Sequence, residues 1–297
     1  MSDLLGLSTF CKHPYLMSLT CVLCLLLLGP TAWAGPPFVT DDPETPDLHS
    51  FEINIPVTLE QSPTEREVQA PLFDINYGYT PNVQLTLQFP YPLLHHAVGE
   101  GAWGIGDTEL GYKWRFQEET PTRPQIALYP QIILPTGNAQ QELGAGRPSY
   151  ILELAFQKSW GRWKAFASPG YSLQTAEGSR AFWFGGLGLV REVSNNLELG
   201  GEVFGQTAGE DGGRSQMAYS LGGTWRLSDQ RAILLSGGRS FRGERESRFY
   251  LGVQITTKGA ERGTPAAEPR RVASQSQGEP TNGPQSCAAG ETQTAER

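Results

Sequence analysis

From about residue 51 onward, hydrophobic and polar positions alternate with a period of two. Phe51, Ile53, Ile55, Val57 and Leu59 share one face, with Glu52, Asn54 and Thr58 opposite, as side chains do along a β-strand. Similar runs follow at about 71–80, 82–91, 106–117, 125–135, 149–158, 162–173, 181–191, 197–206, 215–227, 231–241 and 247–257. The pattern predicts twelve strands of roughly 10 residues, the length a tilted strand needs to cross a bilayer. No window carries the 3.6-residue period of an amphipathic helix, so no helix is expected in this region. Phe182, Trp183 and Phe184 interrupt the alternation and leave the facing of their strand open.

The connections sharpen this picture. Short turns are expected at 80–82, 118–123, 159–161, 192–196 and 228–230. Longer polar or Gly/Pro-rich loops are expected at 60–70, 92–105, 136–148, 174–180, 207–214 and 242–246, although the last two exceed the turns only modestly. A meandering membrane barrel alternates short turns at one end with long loops at the other. An even strand count, membrane-length strands and this asymmetry predict an all-β, antiparallel up-and-down transmembrane barrel spanning 49–257. Its apolar face would point out at lipid and its polar face would line a lumen. Leu221 and Trp225 are expected on the lipid side, with Thr224 and Arg226 in the lumen. Tyr91, Trp103, Trp114, Tyr150, Trp163 and Trp225 fall where interfacial aromatic girdles sit. The alternative is a soluble barrel or sandwich with these aromatics in its core.

The N-terminus names a compartment. An apolar run from about Leu16 to Leu28, a Gly-Pro break and Ala32-Trp33-Ala34 before Gly35 read as a cleaved secretory signal peptide over 1–34. The acidic, Pro-rich stretch at 35–48 is expected as an irregular periplasmic segment, and the polar tail at 258–297 as disordered. Of the four Cys, Cys11, Cys21 and Cys24 fall in the leader, which leaves Cys287 alone and provides no disulfide framework. No segment after the leader is apolar for 18 residues or more, so a membrane span there must be β.

Composition changes the picture only at the margins. Gly is abundant, at 35 of 297 residues, and the in-strand glycines are expected to permit curvature and close packing. A net charge of −8 without a basic stripe argues against nucleic acid as a partner. Candidate chemistry is confined to lumen-facing charges. Glu52, Asp74, Glu109, Glu153, Glu198 and Glu202 supply the acidic set, and Lys113, Arg115, Arg226, Arg239 and Arg248 the basic one. Opposed acidic and basic walls would create a transverse field that orients polar solutes. Alternatively these charges pair and plug a narrow lumen. Asp41, Asp42, Glu44 and Asp47 lack the spacing of a cation-binding loop and read as a solvated linker. His95 and His96 read as residues of a solvated loop. No nucleophile–base motif, metal site or cofactor site is assigned.

Seven stretches carry a resemblance: GPPFVTDDPETPD, DINYGYTPNVQLTLQFP, GIGDTELGYKWRF, PQIILPTGN, FQKSWGRW, ELGGEVFGQTA and YSLGGTWRLSDQRAILLSGG. Together, in this order, they resemble the family named for the MetA pathway of phenol degradation, whose members are described as outer-membrane transporters. The resemblance covers about Gly35 to Thr257. It implies an outer-membrane channel for passive uptake of small molecules, aromatic or hydrophobic ones among them, and not an enzyme. Outer-membrane lipid and the barrel-assembly machinery would be its partners. Such barrels usually finish on an aromatic residue, whereas FYLGVQITTKG runs on here into the polar tail. A non-conducting structural or interaction barrel is the competing class.

Overall fold

A computed structural model describes residues 37–96 and 101–259; the expected signal peptide and nearly all of the expected tail lie outside them. Fourteen strand segments follow in order: β1 (Phe51–Gln61), β2 (Glu65–Thr80), β3 (Val83–His96), β4 (Ala102–Trp103), β5 (Thr108–Gln117), β6 (Gln125–Leu134), β7 (Ser149–Trp160), β8 (Trp163–Ala167), β9 (Gly170–Leu173), β10 (Phe182–Ser194), β11 (Leu197–Gln206), β12 (Gln216–Ser228), β13 (Arg231–Arg242) and β14 (Ser247–Thr256). β4 is a two-residue appendage on β3. β8 and β9 are two segments of one wall strand, interrupted at Ser168-Pro169, and both pair with β7 and β10. Proline has no N–H for the ladder, which accounts for the break. Twelve antiparallel wall strands result, and β14 pairs with β1 from Glu52↔Thr256 to Gln61↔Ser247 to close the barrel. Closure removes every sheet edge.

The outer surface is apolar in a band. Leu87, Leu110, Leu152, Leu187, Leu221, Leu235 and Leu251 are exposed there. Aromatic residues flank the band at both ends, with ring pairs Tyr91–Trp103 and Tyr171–Trp183 toward the loops and Trp114–Phe116 toward the turns. Leu221 and Trp225 are 65% and 51% exposed, whereas Ser220 and Thr224 on the opposite face are 5% and 2% exposed. The greasy face therefore points outward, and the enclosed apolar cluster is small: Ala232 and Leu234 with Tyr250 against them. Trp183 points out at 64% exposure, which settles the facing of its strand.

Two strands, β2 and β3, run furthest beyond the limits the pattern indicates. β2 begins at Glu65 and β3 ends at His96, so the loop expected at 60–70 shrinks to 62–64. His95 and His96 are strand residues as a result. Near a barrel rim the outer face is no longer obliged to be apolar, so charged and Pro residues such as Arg66 and Pro71 hide the period. The long loop after β6 is held by Asp107, whose carboxylate accepts from Gly137 N at 2.9 Å and Ala145 N at 2.7 Å. That loop includes a three-residue 3-10 turn at Ala139–Gln141.

Candidate functional site

The lumen is built from the polar face of each strand, and it is not empty. Residues 37–48 line it, contrary to the expectation of a solvated periplasmic segment. The Glu202 carboxylate on β11 accepts from the backbone N–H groups of Val39 and Thr40 at 2.9 and 2.8 Å. Ser168 Oγ accepts from Asp41 N at 3.0 Å, and Ser236 Oγ donates to Pro37 O at 2.6 Å. Phe38 packs on Phe166, ring centroids 5.9 Å apart. The anchors come from β11, from β13 and from the break between β8 and β9, so the segment crosses the lumen as a plug.

The acidic residues of the plug meet lumen lysines. Lys113 Nζ on β5 lies 2.7 Å from Asp41 Oδ2 and donates to Asp42 O at 2.9 Å. Lys164 Nζ on β8 lies 3.5 Å from Glu44 Oε1, which also accepts from Gln157 Nε2 at 2.7 Å. Burial, and then the neighbouring Glu44, push the Asp42 carboxyl up to about 7. Burial acts the same way on Glu44, but Lys164 and the Gln157 hydrogen bond outweigh it and hold that carboxyl below its usual range.

The eleven candidate charges sort differently from their expected arrangement. Glu52, Asp74, Glu109, Lys113, Arg115 and Glu153 line one cavity of about 1020 Å³ together with the plug. Arg115 is tied to Glu118 at 3.0 Å and to Pro81 O at 2.6 Å. Glu198 pairs with Arg226 at 2.6 Å, and Arg248 contacts Glu60 at 3.6 Å and Glu246. These partners sit on neighbouring strands or within the same strand end. Among the described residues no basic wall stands across the lumen from an acidic one, so of the two arrangements open from the sequence, local pairing is the one present. Arg239 is outside altogether. It shares the outward register of Leu235 and Phe241 on β13 and is exposed, because a strand running through Gly237 and Gly238 gives no side chain by which to read its facing.

Sequence reasoning missed Lys164, Ser168 and the plug. Lys164 and Ser168 were within reach, because each lies an odd number of residues from Trp163, which the pattern places on the lipid side. The plug carries no periodicity at all. Sequence reasoning also missed a cluster at the loop end, where His96 Nδ1 lies 3.4 Å from Glu65 and Nε2 lies 3.5 Å from Glu142. A metal ion takes one ring nitrogen of a histidine, so an imidazole clamped on both sides fits charge pairing better than coordination.

A match over residues 50–256 to the family described as "Putative MetA-pathway of phenol degradation" covers the whole barrel. The chain belongs to this family. A search of curated proteins found no match. Among solved structures, the COG4313 outer membrane channel from Pseudomonas putida F1 is similar at TM-score 0.61 and 13% identity, with 73% of this chain and 98% of that chain covered. The NanC porin is similar at TM-score 0.51 and 5% identity, with 68% and 98% covered. At such identities the likeness is one of fold. In this member of the phenol-degradation family, that fold is a closed outer-membrane β-barrel with a polar, plugged interior.

Proposed function

We propose that the protein is an outer-membrane channel for small solutes, held closed in this structure by its own N-terminal segment. The observation that carries the reading is the cavity of about 1020 Å³ inside the barrel, walled by polar side chains and by the plug. A barrel of about a dozen strands has room for such a space only when the lumen side chains do not fill it. The short turns and both termini of the chain would face the periplasm and the long loops the exterior. Lipid would contact the apolar band, and the barrel-assembly machinery would deliver the chain. Transport needs a path and a gate, and we assign no catalytic residue.

The COG4313 outer membrane channel of similar fold favours this reading, and the family's name points to aromatic solutes. A side pocket of about 100 Å³ lies between Phe184 and Phe204, beside Val39 and Arg248, and Phe38, Tyr129 and Tyr250 add aromatic surface to a main cavity otherwise rich in carboxyl and amide groups. The main cavity favours polar solutes. A second reading, a non-conducting barrel, is favoured by the two backbone hydrogen bonds that anchor the plug to Glu202.

Liposome swelling with a graded series of neutral polyols tests the choice. The channel reading expects uptake with a size cut-off, larger in a chain lacking residues 37–46. Absence of flux from both forms, each correctly inserted, would establish the non-conducting barrel.

A further inference from the structure

Strand register places a row of polar side chains across five neighbouring strands. Gln254 on β14 is opposite Asn54 on β1, Asn54 opposite Asp74 on β2, Asp74 opposite Gln88 on β3, and Gln88 opposite Glu109 on β5. All five line the main cavity. Glu52 lies opposite Asn76 in the next row toward the turn end. Neighbouring strands are about 4.8 Å apart, so Asp74 and Glu109 flank Gln88 at a separation of roughly 10 Å.

The charge on this wall is unbalanced. The cavity is lined by eight carboxylic side chains and three basic ones. Two of the bases are already engaged, Lys113 by Asp41 and Arg115 by Glu118, and the third, Lys258, is exposed at the turn end. Glu52 and Asp74 accept hydrogen bonds from the amides of Asn54 and Asn76. Neither is ion-paired among the described residues, and Glu109 has neither ion pair nor hydrogen bond there. Acceptors go unused as well. Asn54, 7% exposed, turns its Nδ2 to Glu52 and Asp74 and leaves Oδ1 without a partner. A buried acceptor without a donor is costly, and a wall of unpaired carboxylates raises the local concentration of cations.

We infer that this row is a binding site for a small organic cation bearing one or two protonated amines. Asp74 and Glu109 would each accept from an ammonium group, and Asn54 Oδ1 would take a further N–H. A short aliphatic stem would lie along Gln88 and Leu72, which also borders the cavity. Each ammonium supplies three donors and no acceptor, which complements the carboxylates of Asp74 and Glu109 and the Asn54 oxygen; Gln254 Nε2, a buried donor also without a partner, lies at the end of the row away from Glu109. The inference rests on the channel reading for its physiological meaning, but binding itself does not require flux.

Titration calorimetry on the detergent-solubilised full chain, with putrescine as the probe, tests it. Butanediol and succinate serve as the neutral and anionic counterparts of the same carbon length. Saturable binding of putrescine alone is expected, weakened about tenfold or more by Asp74→Asn or Glu109→Gln. The change Glu192→Gln, at an exposed position outside the cavity, should leave it unaltered. Heat-modifiable migration on gels confirms that each variant remains a folded barrel. Equal binding of putrescine and butanediol, preference for succinate, or no binding of putrescine would overturn the inference. So would putrescine binding that survives both substitutions. Putrescine binding without polyol flux would retain the site and reject the channel.

Discussion

Lys113 Nζ lies 2.7 Å from Asp41 Oδ2, and the two residues are 72 positions apart in the chain. The lysine is 4% exposed. This pair joins the wall of the barrel to the segment that crosses its lumen, so release of that segment would have to break a buried charge contact.

Removing the lysine should loosen the plug. Lys113→Ala leaves the Asp41 carboxylate in the lumen without its cation, and breaking one side of a buried pair costs about 3–5 kcal/mol. Single-channel recording should show more frequent or longer open events than wild type. Deletion of residues 37–46 should abolish the closures. A Lys113→Ala chain that gates like wild type would show that Glu202 and Ser168 suffice to hold the segment.

The plug should also respond to pH. Docking raises the Asp42 carboxyl from 3.8 to about 7, so the docked state takes up a proton that the released state does not. The Asp42 contribution to docking is therefore complete below the lower value and is lost progressively as pH rises to about 7. Glu44 acts in the opposite sense, because its depressed value favours docking above its usual range. Its effect fades only in acid. Open probability in wild type should thus climb between mildly acidic and neutral pH, and Asp42→Asn should flatten that climb. A climb of the same size in the variant would place the titrating group elsewhere.

Arg226 and Glu198 pair at 2.6 Å on adjacent strands, with Glu198 6% exposed. Arg226→Glu should bring two carboxylates together and destabilise the folded barrel by about 3–5 kcal/mol, read by urea unfolding in vesicles. The double change Arg226→Glu with Glu198→Arg should recover part of that loss. If the single reversal instead leaves stability intact and alters ion selectivity, the pair faces an open lumen and not each other.

The lipid-facing wall gives a control of opposite character. Leu221 is 65% exposed in the middle of β12. Leu221→Arg should cost about 2–4 kcal/mol of insertion stability, as a charge near the bilayer midplane does, with conductance of the inserted barrel unchanged. Equal stability in thick and thin bilayers would argue that Leu221 is not in the apolar band.

The sequence by itself determined the barrel. Alternation with a period of two is local, and an inverted or slipped strand would expose its polar face to lipid, so Ile53, Leu221 and Trp225 declare their side wherever the chain is read. Strand number and most strand limits follow from this, as does the lumen side of Glu52, Asp74, Glu109 and Glu198. At the rims, where neither face must be apolar, the pattern fades, and the extensions to Glu65 and His96 were not legible. Arg239 was misplaced for a related reason, since the glycines before it carry no side chain.

Only the tertiary structure decided how the lumen is filled. Glu202 and Thr40 are 162 positions apart, and no periodicity links an irregular segment to the wall it docks against. An acidic run such as Asp41-Asp42-Pro43-Glu44 reads the same whether water or Lys113 and Lys164 surround it. Which charges pair was equally out of reach, because the partner of each depends on strand register around a closed circumference. Closure brought Arg248 beside Glu60, and the β11–β12 ladder brought Glu198 beside Arg226, which decided for local pairing over opposed walls and left Glu52, Asp74, Glu109 and Glu153 facing the cavity without an ion pair among the described residues.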